Sequence, residues 1–252
     1  MKTCRIILSG CSGRLGSAIA RLIEARTDCN VVCGIDRCGK ADFPIYDSFD
    51  KITEDADVII DTSHHSLTSV LLAFAESKNT PAVICTTGHT EEEDAMIKTV
   101  SERVPILKSR NMSLGINLLM DLVRRSAAVL GDDFDIEVVE AHHSKKLDAP
   151  SGTALMLADA AKEAREDLEY VYDRHSVRQE RGHNEIGIHS VRGGTIVGEH
   201  SVIFAGCDEV ITLSHSAGSR DLFAAGAIKA ALYLAKAEHG FYTMNDVVNS
   251  II

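Results

Sequence analysis

No stretch of this 252-residue sequence approaches the roughly 18 consecutive apolar residues that a membrane span needs. The N-terminal run is shorter still: Ile6, Ile7 and Leu8 give way at once to Ser9 and Gly10, too little for the core of a secretion signal. Basic charge is scarce. The chain has 26 Lys and Arg against 37 Asp and Glu, a formal charge of -11, which argues against broad nucleic-acid binding because neutralising phosphates needs a basic face. The seven cysteines are scattered, odd in number and without a Cys-x-x-Cys pair, so neither a disulfide framework nor a zinc ribbon is expected, and a reducing cytoplasm is the natural compartment. With 45% apolar and 25% charged residues the composition is that of an ordinary globular protein, which excludes disorder, collagen and coiled coil and leaves a small molecule as the expected partner.

The first half alternates β-branched runs with amphipathic stretches, the pattern of βαβ units and a parallel sheet. Strands are expected at 4–9, 30–35, 58–61, 82–85 and 106–109, with crossover helices at 17–26, 67–78 and 91–102. After residue 114 come a helix at 116–130, a strand at 135–139 and a helix from Thr153. Three closely spaced strands follow near 186–191, 195–205 and 209–216, so a second domain with a mixed or antiparallel sheet is expected. The Ala-rich 222–236 reads as a closing helix, and the charged segment 166–185, with little to bury, as a long mobile loop.

Strand 5–9 runs into Gly10-Cys11-Ser12-Gly13-Arg14-Leu15-Gly16 and then a helix. Such a turn needs one glycine for its tightness, a second for close approach of backbone to a pyrophosphate and a third for helix packing on the strand. The spacing is G-x-x-G-x-x-G, a variant of the commoner G-x-G-x-x-G. Asp36, twenty residues beyond Gly16 at the end of the next strand, is placed to accept the adenosine ribose hydroxyls. Its charge opposes a 2′-phosphate and favours NADH, while the neighbouring Arg37 guanidinium keeps NADPH open.

In Glu140-Ala141-His142-His143-Ser144-Lys145-Lys146-Leu147-Asp148-Ala149-Pro150-Ser151-Gly152-Thr153-Ala154, a strand ends in two histidines and two lysines, turns at Ala149-Pro150, and a helix opens on small hydroxyl residues. A helix start offers free N–H groups and a positive dipole end, suited to a carboxylate or phosphate. For Ser151 and Thr153, plain N-capping accounts for the residue types equally well. Zinc ligation by His142 and His143 is the rival reading. Adjacent residues of an extended chain point to opposite sides, and no Cys or carboxylate stands at ligand spacing, so no metal is expected. Histidine suits proton transfer near neutral pH, and a lysine can donate a proton or hold a carboxylate. A solvated basic patch describes Lys145 better than Lys146.

This block, together with Gly-x-x-Gly-Arg-Leu-Gly, Thr86-Thr87-Gly88, Asn111-Met112-Ser113-Leu114-Gly115, Val197-Gly198-Glu199-His200 and Ser219-Arg220, resembles the bacterial 4-hydroxy-tetrahydrodipicolinate reductase (dihydrodipicolinate reductase) family of lysine and diaminopimelate biosynthesis over nearly the whole chain. The resemblance implies an α/β fold: a Rossmann-like dinucleotide-binding domain from 1–113 and 220–252, with an inserted α+β domain, 114–219, that binds substrate and builds a homotetramer through a mixed sheet. It implies proton transfer by His142 and Lys146, and contact with a substrate carboxylate by His143, Gly152 and Thr153. Nicotinamide cofactor contacts are implied for Gly10, Cys11, Ser12, Gly13, Arg14 and Leu15, for Asp36, for Cys85, Thr86 and Thr87, and for Ser109, Arg110, Asn111 and Met112. Family members often have glycine where this chain has Cys85. A different nicotinamide-dependent dehydrogenase shares the first half but gives no reason for His-His-x-x-Lys joined to Ser-Gly-Thr. A non-catalytic NADH-sensing module predicts loss of His142, Lys146, Gly152 and Thr153, all of which are present.

Overall fold

The computed structural model describes residues 3–251, which fall into two compact units, one running to Leu114 and resuming at Asp221, the other Gly115–Arg220. The first opens with β1 (Cys4–Ser9), α1 (Arg14–Glu24), β2 (Cys29–Ile35), β3 (Ile45–Tyr46), β4 (Val58–Asp61) and α2 (Thr68–Lys78). It continues with β5 (Ala82–Ile84), α3 (Glu91–Ser101) and β6 (Pro105–Lys108). The second unit contains α4 (Leu114–Leu130), β7 (Asp135–His142), α5 (Gly152–Lys162), β8 (Glu169–Val171), β9 (Glu185–Arg192), β10 (Gly198–Ala205) and β11 (Val210–Ala217). The chain then rejoins the first unit as α6 (Asp221–Leu234), β12 (Gly240–Tyr242) and α7 (Met244–Asn249).

The first unit is built on a seven-stranded sheet ordered β12-β6-β5-β4-β1-β2-β3, with every pairing parallel. Its strands are apolar without alternation because both faces are covered. Ile6 and Leu8 of β1 join α1 and α6 in one core, while Ile7 joins α2 and α3 in the other. The second unit has a five-stranded mixed sheet, β11-β10-β7-β9-β8, in which β10 pairs antiparallel with β7 and β11 while β7-β9 and β9-β8 are parallel. Here α4 and α5 cover one face only, burying Ile136, Val138, Ile188, Val202 and Phe204. On the opposite face Val191 and Val210 stand about half exposed or more.

Two features depart from the sequence pattern. Helix α1 begins at Arg14, inside the glycine turn, three residues before the expected start, because its N-cap Gly13 has no side chain to announce a helix. The segment 166–185, expected as a long mobile loop, is anchored at both ends around an irregular stretch, 172–184. Leu168 is fully buried, β8 pairs with β9, and the Arg181 guanidinium donates to Asp135, Glu137 and the Ile136 carbonyl. Arg174, Arg181 and Glu185 are engaged at the sheet edge, while the stretch 175–180 between β8 and β9 is exposed.

Candidate active site

In the seven-stranded sheet the strand order reverses at β1: the chain moves outward to β2 and β3, then returns to β4 on the other side. The carboxyl ends of strands at such a reversal form the ligand crevice of open α/β sheets. Gly10 lies there at φ +75, and a β-carbon on it would stand 2.7 Å from the Thr62 carbonyl carbon. A β-carbon on Gly16 would stand 2.2 Å from the Gly10 carbonyl oxygen, so the first and third glycines are required by contact. Gly13 gives α1 no side-chain cap. The donors of its first turn and the dipole behind them are therefore offered to an anion, with no β-carbon in the way, and the cradle fits a dinucleotide pyrophosphate.

The other cofactor residues inferred from sequence collect at the same edge. Asp36 follows β2 and accepts the Ser12 N–H at 2.9 Å and the Arg37 N–H at 2.8 Å. Thr86, after β5, is buried and donates its hydroxyl to Asp61 Oδ2 at 2.6 Å, with Thr87 exposed beside it. Cys85 continues β5 with its N–H on the Asp61 carbonyl, and burial pushes its thiol well above the ordinary range, so it acts as packing rather than as a nucleophile. After β6, Ser109 and Asn111 hold each other, and the buried Met112 packs its carbonyl against Gly226 of α6, where a β-carbon would meet it at 1.7 Å. Asp61 and Thr62 escaped the sequence reading. The 3% exposed Asp61 also takes the Ser63 hydroxyl at 2.6 Å, and a buried acid closing an apolar strand was the available signal.

In the second unit, β7 turns Ile136, Val138 and Glu140 inward and ends at His142. Glu140 is completely buried. Its Oε2 lies 2.5 Å from His142 Nδ1 and accepts Arg192 Nη1 at 2.9 Å. Its Oε1 accepts Arg192 Nη2 at 2.7 Å and the Ser151 N–H at 3.1 Å. Burial alone would push the Glu140 carboxyl up, but hydrogen bonds from Arg192, Ser190, His142 and the Ser151 N–H together hold it down at about 2. Glu140 is thus a carboxylate in contact with His142, unlike the sequence expectation of none nearby, and it serves as a hydrogen-bond partner.

Arg192 also donates to the Asp148 carbonyl, and the Asp148 carboxylate receives both hydrogen bonds of the Lys146 ammonium at 2.8 Å. Lys146 is therefore held, one-fifth exposed, whereas Lys145 is exposed. Ser151 caps α5, accepting the Ala154 N–H, and its hydroxyl pairs with His200 Nε2 at 3.0 Å. Burial drives His200 down to about 4, so it is neutral here. Gly152, with no heavy atom near its missing β-carbon, and Thr153 form the first helical positions after that cap. His143 leaves this network: its Nε2 lies 3.4 Å from the Arg220 guanidinium, while His142 faces Glu140 and, edge-on at 5.2 Å, the His200 ring.

An uncapped helix start behind a glycine turn suits a dinucleotide, and ionisable and cationic groups linked to the α5 cap suit an anionic ligand. Both belong to an oxidoreductase that uses NAD(P)H. Residues 4–112 match the family described as dihydrodipicolinate reductase, N-terminus, and residues 115–248 its C-terminus. The chain belongs to the dihydrodipicolinate reductase family. It is 50% identical over 246 residues to the 4-hydroxy-tetrahydrodipicolinate reductase of Caldanaerobacter subterraneus subsp. tengcongensis, covering 97% of this chain and 98% of that protein. It is 48% identical to that of Staphylococcus epidermidis over 93% of this chain and 97% of the other. Among solved structures, the dipicolinate-bound dihydrodipicolinate reductase of Paenisporosarcina sp. TG-14 shares the fold at a TM-score of 0.82 and 22% identity, over 96% of this chain and 98% of that one. The C. glutamicum DAP dehydrogenase is more distant, at a TM-score of 0.57 and 15% identity over 98% and 96% of the two chains.

Proposed function

We propose that the chain reduces 4-hydroxy-tetrahydrodipicolinate, through the dihydrodipicolinate formed on loss of water, to tetrahydrodipicolinate in lysine and diaminopimelate biosynthesis. Bound NAD(P)H supplies the hydride. The remaining work falls to the protein: hold two carboxylates, orient the conjugated C=C and C=N system, and deliver the proton that completes the two-electron reduction. His142 and Lys146 carry that proton, and Gly152 and Thr153 at the α5 mouth, with His143, take a carboxylate. The supporting observation is that His142, Lys146 and the start of α5 belong to one connected cluster, joined through Glu140, Arg192 and Asp148.

NADH is the preferred reductant in this reading, because the Asp36 carboxylate beside the glycine turn repels a 2′-phosphate, while the exposed Arg37 gives NADPH a guanidinium to pair with. Gly10 to Leu15, Cys85 to Thr87 and Ser109 to Met112 complete the dinucleotide site. The half-exposed valines on the helix-free face of the five-stranded sheet support a homotetramer built through that face. No helix among the described residues is long and apolar enough to cross a membrane, and the cytoplasm is the proposed compartment. The reading is tested by whether NAD(P)H is oxidised only when freshly generated 4-hydroxy-tetrahydrodipicolinate is added.

A further inference from the structure

We propose that Glu140 is a positioning residue for proton transfer, one that fixes the tautomer and ring orientation of His142 and anchors the first turn of α5 with the same carboxylate; this rests on the reductase reading above. Ile136 and Val138 share its face of β7 and are buried apolar residues, and an apolar residue at 140 would continue that core. An ion pair with one partner fully buried adds little stability over a well-packed apolar replacement, so fold stability does not account for the Glu140–Arg192 pair.

The pair does explain the state of His142. Glu140 is surrounded by donors: Arg192 at both oxygens, the Ser151 N–H at Oε1, His142 Nδ1 at Oε2, and the Ser190 hydroxyl beside them. An ionised carboxylate only accepts, so Nδ1 carries a proton, and in the neutral ring the lone pair is on Nε2. That nitrogen faces Gly198, where a β-carbon would come within 3.1 Å. Turning the ring over would set a C–H against the carboxylate and forfeit the 2.5 Å hydrogen bond. His142 is thus held with Nε2 presented, and the other Glu140 oxygen holds the residue that caps α5. The group that handles the proton and the helix start that receives a carboxylate are fixed to one point.

Glu140→Gln tests this at constant volume. Because Arg192 donates to both oxygens, the amide NH2 must oppose one of its N–H groups whichever way it turns. We expect kcat to fall by about 10²-fold with the Kd for NADH unchanged. The decisive comparison is a cycle of E140Q, H142Q and the double variant. If Glu140 acts through His142, the double variant is no slower than H142Q alone. Losses that multiply, or wild-type kcat in E140Q, overturn the proposal while leaving the reductase reading intact. Wild-type turnover in H142Q overturns both the proton role of His142 and this proposal. Should E140Q fail to fold, Glu140→Asp, which keeps the charge and withdraws it by one methylene, enters the same cycle with the same criterion. The wild-type enzyme gives a measurement free of variants: a proton resonance far downfield of the amide envelope, absent from H142Q, is the signature of the Nδ1–H donated to Glu140, and its absence from wild type contradicts the proposal.

Discussion

Asp36 Oδ2 accepts the Ser12 backbone N–H at 2.9 Å, so the acid that follows β2 is docked on the glycine turn that follows β1. In the proposed dinucleotide site, this carboxylate faces the adenosine ribose. Asp36→Ala removes an acceptor for the ribose hydroxyls and also removes repulsion toward a 2′-phosphate. Titration of the variant is expected to show NADH affinity down by about tenfold, in line with a hydrogen bond to a charged group, and NADPH affinity changed much less. Equal losses for the two cofactors would dismiss the ribose role.

Two glycines make opposite demands. At Gly16 an added β-carbon would lie 2.2 Å from the Gly10 carbonyl oxygen, which is backbone and cannot swing aside. Gly16→Ala is expected to lower stability by about 1–3 kcal/mol and to weaken dinucleotide binding as the turn shifts. Gly152 has no heavy atom within 4 Å of its missing β-carbon, so Gly152→Ala should melt like wild type. Its methyl group instead stands at the mouth of α5, and KM for the dicarboxylate should rise. Thermal melts together with steady-state kinetics on the two variants check the contrast, and a destabilised Gly152→Ala would refute it.

Lys146 is held by Asp148 through two hydrogen bonds of 2.8 Å. In the proton-donor role proposed for it, it matters only once substrate is bound. Lys146→Ala should therefore reduce turnover by about 10²-fold or more while NADH binding stays near wild type. A variant that bound NADH poorly yet kept full turnover would show the assignment to be wrong.

Acid stability should fall in two stages. Burial lowers His200 from its ordinary 6.5 to about 4, so between these values the unfolded chain binds a proton that the folded chain refuses. Stability then drops by up to about 3 kcal/mol as pH falls through that window. Glu140, held at about 2 against an ordinary 4.5, contributes stability that is complete above 4.5 and disappears as pH falls toward 2. Denaturant unfolding at pH 7 and pH 5 measures the first stage. His200→Gln should flatten it, and an unchanged slope in that variant would assign the pH dependence elsewhere.

The parallel sheet was legible in the sequence because strands buried on both faces read as short apolar runs closed by turn residues, and β1 and β4 fall at the expected bounds, Cys4–Ser9 and Val58–Asp61. β3, β8 and β12, of two or three residues each, were not legible, since their pairing is set by the neighbouring strand rather than by a pattern of their own. The block from His142 to Thr153 drew attention in the sequence because its ionisable and helix-opening residues are consecutive, and the structure joins His142, Lys146 and the α5 cap in one hydrogen-bonded cluster. Glu140 was overlooked although it stands two residues away. Its role is defined by Arg192, 52 residues later, and by Ser151, and only the inward register of Ile136, Val138 and Glu140 on one strand hinted at a buried charge.

The most direct measurement follows nicotinamide absorbance in parallel reactions with NADH and NADPH, each started with freshly generated 4-hydroxy-tetrahydrodipicolinate. The account predicts substrate-dependent oxidation, faster with NADH, and none when the dicarboxylate is omitted. No oxidation of either cofactor in the presence of the substrate would contradict it.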